Sequence, residues 1–204
     1  MSGDLLPLFP LNVVLFPGTP LPLHIFEPRY RQMTRECLEE KREFGVVLAR
    51  KEGIAAVGCS AEIVKVVKQY EDGRSDILTV GRRRFRVGEV LEDKPYYQGR
   101  VAFLSEAAGK ENPSTAERLL VLYAEVHRLV YGREGDPVPA EAVSLAYSVA
   151  AELPLDVEHK QELLELDSET ERRGMLIERL EAWAEELRRA TRAREKAGGN
   201  GHGR

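Results

Sequence analysis

Apolar and polar positions change their period part-way along the chain. In the first half they alternate. Ala61–Tyr70 reads Ala-Glu-Ile-Val-Lys-Val-Val-Lys-Gln-Tyr, the pattern of a half-buried strand. Glu71-Asp-Gly-Arg74 then supplies a turn, with Gly73 able to take a positive φ, and Asp76–Val80 reads as the returning strand. Arg84–Val90 and Tyr97–Phe103 alternate again, and Phe44–Arg50 is a continuous β run. Leu5–Leu15 and Leu21–Phe26 are apolar as well, but prolines punctuate them. Pro17, Pro20, Pro22 and Pro28 all fall within residues 15–30, and proline lacks the N–H that a central strand needs. Several short strands with close turn signals predict a small barrel or sandwich. One helix interrupts them. After Pro28, which suits a first helical turn, Tyr30, Met33 and Cys37 recur at helical spacing with Thr34 and Leu38 beside them. That helix should stop before Phe44-Gly45.

From Ser114 onward the period is near 3.6. Leu119, Leu122, Tyr123, Val126, Leu129 and Val130 form one apolar face. Ala140–Leu153, entered through Pro137 and Pro139, predicts a second helix of this half. Asp156 is placed to cap a third, running through Leu163 and Leu164 to Leu166. Ser168-Glu-Thr-Glu171 has capping-box spacing for a fourth, with Leu176, Leu180, Trp183, Ala184 and Leu187 as its buried stripe. The polar segment Leu104–Pro113 separates the halves. The organisation expected is α+β: a β domain with one helix over 1–106, a helical bundle over 112–196, and a Gly-rich disordered tail over 197–204.

Composition narrows the function classes. The 204 residues are 43% hydrophobic and 31% charged, enough apolar material for a real core. The net charge of −4 argues against nucleic acid or an anionic membrane as the main partner, since either calls for a basic excess. No apolar run approaches the ~20 residues of a membrane span. The N-terminus lacks the basic start of a secretory signal. A cytoplasmic protein with two reduced thiols, Cys37 and Cys59, is the reading that follows. Neither cysteine has metal spacing, and His24, His127, His159 and His202 are scattered, so no metal is expected. Gly109-Lys110 precedes Glu111 and lacks the upstream glycine of a P-loop; no GxGxxG follows a strand, and neither GxSxG nor HExxH occurs. No cofactor and no catalytic residue is assigned, and the chain is not expected to be an enzyme. Arg82-Arg-Arg-Phe-Arg86 is the one cationic run with an aromatic. As a strand it places Phe85 and Val87 inward and Arg84 and Arg86 outward, with arginine stems covering apolar edges. As an RNA surface it would use Arg82, Arg83, Arg84 and Arg86.

The ordered motifs resemble one family. Leu6–Gly18 (LPLFPLNVVLFPG) and Leu21–Tyr30 (LPLHIFEPRY) are similar to the opening of the Lon protease N-terminal domain, and closer still to stand-alone bacterial proteins made of that domain. Phe44–Leu48 resembles the family's third strand. Val57-Gly58 with Ala61-Glu-Ile63 resembles its VG-x-x-A-x-I segment. Asp72-Gly73 and Gly81–Arg86 resemble its DG turn and its G-x-x-RF strand. Lys160–Leu164 and Glu171-Arg172 resemble its helical part. The resemblance spans roughly Leu5 to Leu187 and implies a PUA-like β pseudo-barrel followed by a helical bundle. It also implies substrate recognition without proteolysis, because none of Lon's catalytic residues has a counterpart in these residues.

The function that the resemblance implies is non-catalytic binding of unfolded or specific polypeptides, with a separate ATP-dependent protease as a further partner. RNA binding through the 82–86 strand is the alternative. Phe16, Leu23 and Phe26 should pack inward. Yet the 16–30 stretch holds more apolar residues than a small barrel hides, so Phe16, Leu21, Leu23, Phe26 and Tyr30 are the candidate polypeptide-binding residues. A strand edge open to β-augmentation is a second route. Glu27, just before Pro28, is expected to receive backbone N–H bonds or an arginine from the 82–86 strand.

Overall fold

One 17-residue strand organises the first half of the chain. The structure is a computed structural model that describes residues 4–107, 112–139 and 142–199, with side chains through residue 193. Its elements run β1 (Asp4–Leu11), β2 (Pro20–Ile25), α1 (Pro28–Glu40), β3 (Phe44–Arg50), β4 (Gly53–Ile54), β5 (Val57–Gln69), β6 (Ser75–Leu91), β7 (Gln98–Phe103), α2 (Pro113–Tyr131), α3 (Leu145–Glu152), α4 (Val157–Glu165) and α5 (Glu169–Gly199). The fold is α+β. The chain forms two compact units, Met1–Glu106 with Leu155–Asp167, and Ala107–Pro154 with Ser168–Arg204.

In the first unit, β1 closes a barrel. Its first residues pair antiparallel with β7, from Asp4 opposite Val101, and its last pair parallel with β3, from Leu8 opposite Gly45. The sheet path between those partners runs β7-β6-β5-β3, so the strands return on themselves. Leu6, Leu8, Val47, Phe85 and Val101 fill the interior. The segments Asp76–Val80 and Arg84–Val90, expected as separate strands, are one strand, β6. Gly81 at their junction is not a turn. It donates its N–H to the Thr19 carbonyl at 3.0 Å and accepts from the Gly18 N–H at 2.8 Å. A Cβ at position 81 would collide with the Phe16 carbonyl. The proline-rich loop after β1 docks there, turning at Gly18 with φ 80°. Its prolines therefore lie in a loop and on an outer strand, where the missing N–H costs no central ladder bond.

α1 starts at Pro28 and ends on Lys41, whose backbone is left-handed. Tyr30, Met33, Thr34 and Cys37 are buried, while Leu38 stands 41% exposed. Glu27 occupies the N-cap, but its side chain caps nothing. It accepts instead from the Arg29 side chain at 2.9 Å. No arginine of the 82–86 strand reaches it.

α4 belongs to the β unit and not to the helical bundle in which its periodicity placed it. The side chain of Gln161 donates to the Val57 carbonyl of β5 at 3.0 Å, and Arg50 of β3 pairs with Glu158 at 2.7 Å. Arg84 explains the attachment. It is buried, and its guanidinium donates to the carbonyls of Leu164 (3.0 Å) and Leu166 (2.6 Å) at the C-terminal end of α4. Arg84 does leave the barrel on the side opposite Phe85, as the alternation predicts, but α4 covers it.

In the second unit, α2 and α5 run side by side in the same direction, joined by Arg118–Glu181 and Glu125–Arg188. Leu119, Leu122, Tyr123 and Val126 of α2 are buried, and so are Leu176, Leu180 and Ala184 of α5. Asn112 caps α2 through the Ser114 N–H. The capping box at α5 is reciprocal: Ser168 Oγ accepts from the Glu171 N–H at 3.3 Å, and Glu171 accepts from the Ser168 N–H at 3.1 Å. Helix α3 is shorter than expected and begins at the Ser144 cap; residues 140–141 lie outside the described residues. Helix α5 continues to Gly199, into the segment expected as a tail, of which residues 200–204 lie outside the described residues. Among the described residues, no helix is long and apolar enough to cross a membrane.

Candidate polypeptide-binding surface

Beyond the barrel, the first half of β6 carries β2 on one side and the far half of β5 on the other, a three-stranded arm. Residues directly opposite share a face. Leu21–Thr79–Ile63 and Leu23–Ile77–Val66 therefore lie on the inner face. There Thr79 and Ile77 are buried, Leu21, Leu23 and Ile63 half-buried, and Val66, towards the tip, 38% exposed. Pro20–Val80–Glu62, Pro22–Leu78–Lys65 and His24–Asp76–Lys68 lie on the outer face. Register shifts between Ile63 and Lys65 and between Val66 and Lys68 leave Val64 and Val67 as extra residues, 44% and 58% exposed. Phe26, next after β2, is 59% exposed and stacks on His24 with ring centroids 6.0 Å apart. Proline, valine, leucine and phenylalanine thus gather on the outer face, where water meets them.

The tip of the arm is held by polar contacts. Gly73 takes φ 84° in the turn, and its N–H donates to the Tyr70 carbonyl at 3.0 Å. Asp76 receives His24 Nδ1 at 2.6 Å and the Tyr70 hydroxyl at 2.8 Å, and these bonds hold its carboxyl below the usual range. Lys68 and Arg74 sit over the Tyr70 ring at 4.4 and 5.1 Å. Neither open edge of the arm invites a further strand. Pro20 and Pro22 bring no N–H to the edge of β2, and β5 is bulged and carries lysines.

The residues singled out from the sequence do not form one surface. Phe16 is 1% exposed and Tyr30 4%, the latter stacked on Phe9 at 4.0 Å, so both are core and neither can meet a polypeptide. Leu21 and Leu23 face inward. Phe26, expected inside, is the exposed member, because alternation after the buried Ile25 turns it outward. Val64, Val67, Leu78 and Val80 were not among those candidates. Their signal was present: the doublets Ile63-Val64 and Val66-Val67, each followed by lysine, break the two-residue period where the bulges occur.

The four arginines are dispersed as well. Arg82 pairs with Glu62 at 2.6 Å, Arg83 lies over the Phe103 ring at 3.7 Å, Arg84 is buried under α4, and Arg86 is exposed. They form no continuous cationic groove. A groove of about 440 Å³ does lie between the end of α1 (Cys37, Leu38, Lys41, Arg42) and β5 (Glu62, Ile63). Burial pushes the Cys37 thiol up to about 11 and the Cys59 thiol higher still, so neither is a ready nucleophile. Among the described residues, no group of three or more metal-binding side chains comes together.

Comparison with known proteins identifies the family and the fold. The chain is 31% identical over 170 residues to a Lon protease of Paraburkholderia phytofirmans, covering 76% of this chain and 21% of that protein. It is 29% identical over 199 residues to Lon protease 2 of Myxococcus xanthus, covering 87% and 23%. It therefore spans about a fifth of the length of these relatives. Among solved structures it resembles a Lon N-terminal domain protein from Xanthomonas campestris, with a TM-score of 0.68, 28% identity, and coverage of 88% of this chain and 98% of that one. The N-terminal domain of a Mycobacterium avium complex Lon protease shares the fold at a TM-score of 0.61 and 18% identity, covering 87% and 98%. The family described as the ATP-dependent protease La (LON) substrate-binding domain matches residues 5–182, and the chain belongs to that family.

Proposed function

We propose that this chain binds unfolded polypeptides non-catalytically, on the outer face of the β2–β6–β5 arm, as the recognition step of ATP-dependent proteolysis in the cytoplasm. The observation that carries the reading is the exposed apolar group on that face: Phe26, Val64 and Val67, with Pro20, Pro22, Leu78 and Val80 between them. A monomeric surface seldom leaves such a group uncovered unless something binds it. The blunted edges favour capture by side-chain contact, which tolerates varied sequences. Family membership supports a substrate-recognition role. The chemistry of cleavage and of ATP hydrolysis belongs to other domains, to which captured polypeptides are delivered.

The test is a titration of the purified chain into a fluorescently labelled unfolded polypeptide without ATP. Saturable binding is expected. Val64→Ser with Val67→Ser should weaken it about tenfold, from the loss of roughly 1–2 kcal/mol of apolar contact, while the thermal midpoint stays within about 2 °C. Binding that ignores these substitutions would move the site elsewhere.

A further inference from the structure

The charges on the outer face do not balance among themselves. Glu62 is taken by Arg82 at 2.6 Å. Asp76 is taken by His24 and by the Tyr70 hydroxyl. On the neighbouring turns Arg74 pairs with Asp72, and Arg29 with Glu27. Lys65 and Lys68 make no ion pair among the described residues; Lys68 stands over the Tyr70 ring at 4.4 Å and opposite Asp76, whose carboxylate is already bonded to His24 and Tyr70. They are exposed, and they stand in the same rows as Pro22–Leu78 and His24–Asp76, beside the exposed Val64 and Val67. Each lysine follows one of the extra valines in the chain. An apolar contact and a cation outside any ion pair are thereby placed side by side, twice over.

We propose that this face selects apolar polypeptide segments that carry aspartate or glutamate, and discriminates against those flanked by lysine or arginine. The inference rests on polypeptide binding at this face. An apolar segment packed on Val64, Val67 and Leu78 brings its flanking side chains within reach of both ammonium groups. An acidic flank gains two ion pairs, and a basic flank meets two like charges, while the nearby acids Glu62 and Asp76 are already held by Arg82 and by His24 and Tyr70. Discrimination of this kind comes as much from the repulsion as from the attraction. Both lysines are solvated, so the effect is moderate and screened by salt. The protein's net charge of −4 is spread over the whole chain and is screened beyond a Debye length of about 8 Å. An apolar segment with acidic flanks is also one that a basic nucleic-acid-type surface would not sort by its apolar content, which separates the two occupants.

The experiment uses three labelled peptides with one apolar core, flanked by Glu, by Gln or by Lys, titrated with the full chain at low and high salt. At low salt the Glu peptide should bind about tenfold tighter than the Lys peptide, with the Gln peptide between them. The spread should fall below about twofold at high salt. It should also collapse in the double variant Lys65→Gln with Lys68→Gln, whose affinity for the Gln peptide stays within about twofold of the unsubstituted chain and whose circular dichroism spectrum is retained. Equal affinity for the Glu and Lys peptides, or a spread that survives the double variant, overturns the inference while leaving polypeptide binding intact. If none of the three binds, the polypeptide reading itself fails and the inference with it. Binding of a labelled oligouridylate that is lost in the double variant, with no peptide bound, would assign the lysines to nucleic acid and overturn it also.

Discussion

Arg84 shows how much one side chain can decide. It sits in the run Arg82-Arg-Arg-Phe-Arg86, where alternation separates Phe85 from its neighbours but cannot tell a covered arginine from a solvated one. The difference lies some 80 residues away, in the carbonyls of Leu164 and Leu166 at the C-terminal end of α4, which accept from Arg84. A guanidinium spans two such acceptors with its rigid fork. Arg84→Ala should lower the unfolding free energy by about 3–5 kcal/mol, because buried carbonyls lose a charged donor. Arg84→Lys should recover less than half of that, since an ammonium is a point donor. Urea denaturation reads both; a loss under about 1 kcal/mol in Arg84→Ala would show that the carbonyls find water. Gly81 makes the same point about backbone. Its sequence context suggests a turn, and only the docked Phe16 carbonyl shows why no Cβ fits. Gly81→Ala should cost at least about 2 kcal/mol, because the obstructing atom is main chain and has little freedom to move aside.

At the scale of elements, α1 is tied to the β6–β7 connection through Glu36. Its carboxylate accepts from Lys94 Nζ and the Tyr96 hydroxyl, both at 2.5 Å, and a second oxygen accepts from Gln32 at 2.8 Å. These bonds hold the carboxyl down at about 2, against 4.5 for an ordinary glutamate. A carboxyl depressed in the folded state contributes stability that is fully present above the unfolded value. That stability is lost as pH falls from about 4.5 towards 2. The thermal midpoint should therefore drop across this window, and Glu36→Gln should flatten the drop while lowering stability at neutral pH. Parallel curves for the two proteins below pH 5 would remove Glu36 as the cause. The elements themselves were legible where local signals suffice. Asp156 and Ser168-Glu171 cap their helices as their spacing says, and Phe44–Arg50 is a strand to the residue. What was not legible depends on distant chain. Whether Leu21 or Phe26 faces water follows from the β2–β6 register, and the exposure of Val64 and Val67 follows from bulges whose only trace is a pair of apolar doublets.

The whole molecule is not divided where its composition changes. The polar segment 104–113 separates strands from helices, yet Leu155–Asp167 returns to the β unit after the chain has already entered the helical one. Local periodicity assigns α4 to the helices because it carries no information about which surface a helix covers. The carbonyls held by Arg84, Leu164 and Leu166, and the Ser105 carbonyl that it reaches at 3.5 Å, all lie just before the points where the chain leaves this unit. A fragment ending at Glu106 therefore contains every strand but lacks the Leu164 and Leu166 carbonyls that Arg84 holds, and the partners of the Val57 carbonyl and of Arg50. Arg84 alone forfeits charged hydrogen bonds worth about 1.5–3 kcal/mol each. In a unit of this size each kcal/mol corresponds to roughly 4–8 °C. Residues 1–106 should thus melt at least about 15 °C below the full chain and bind more of a hydrophobic dye than the full chain does. A fragment that melts with the full chain would mean that α4 only decorates the barrel. The opposite outcome would make the three-part threading of the chain a condition of its folding, because the barrel would reach its native stability only when residues 155–167 are present.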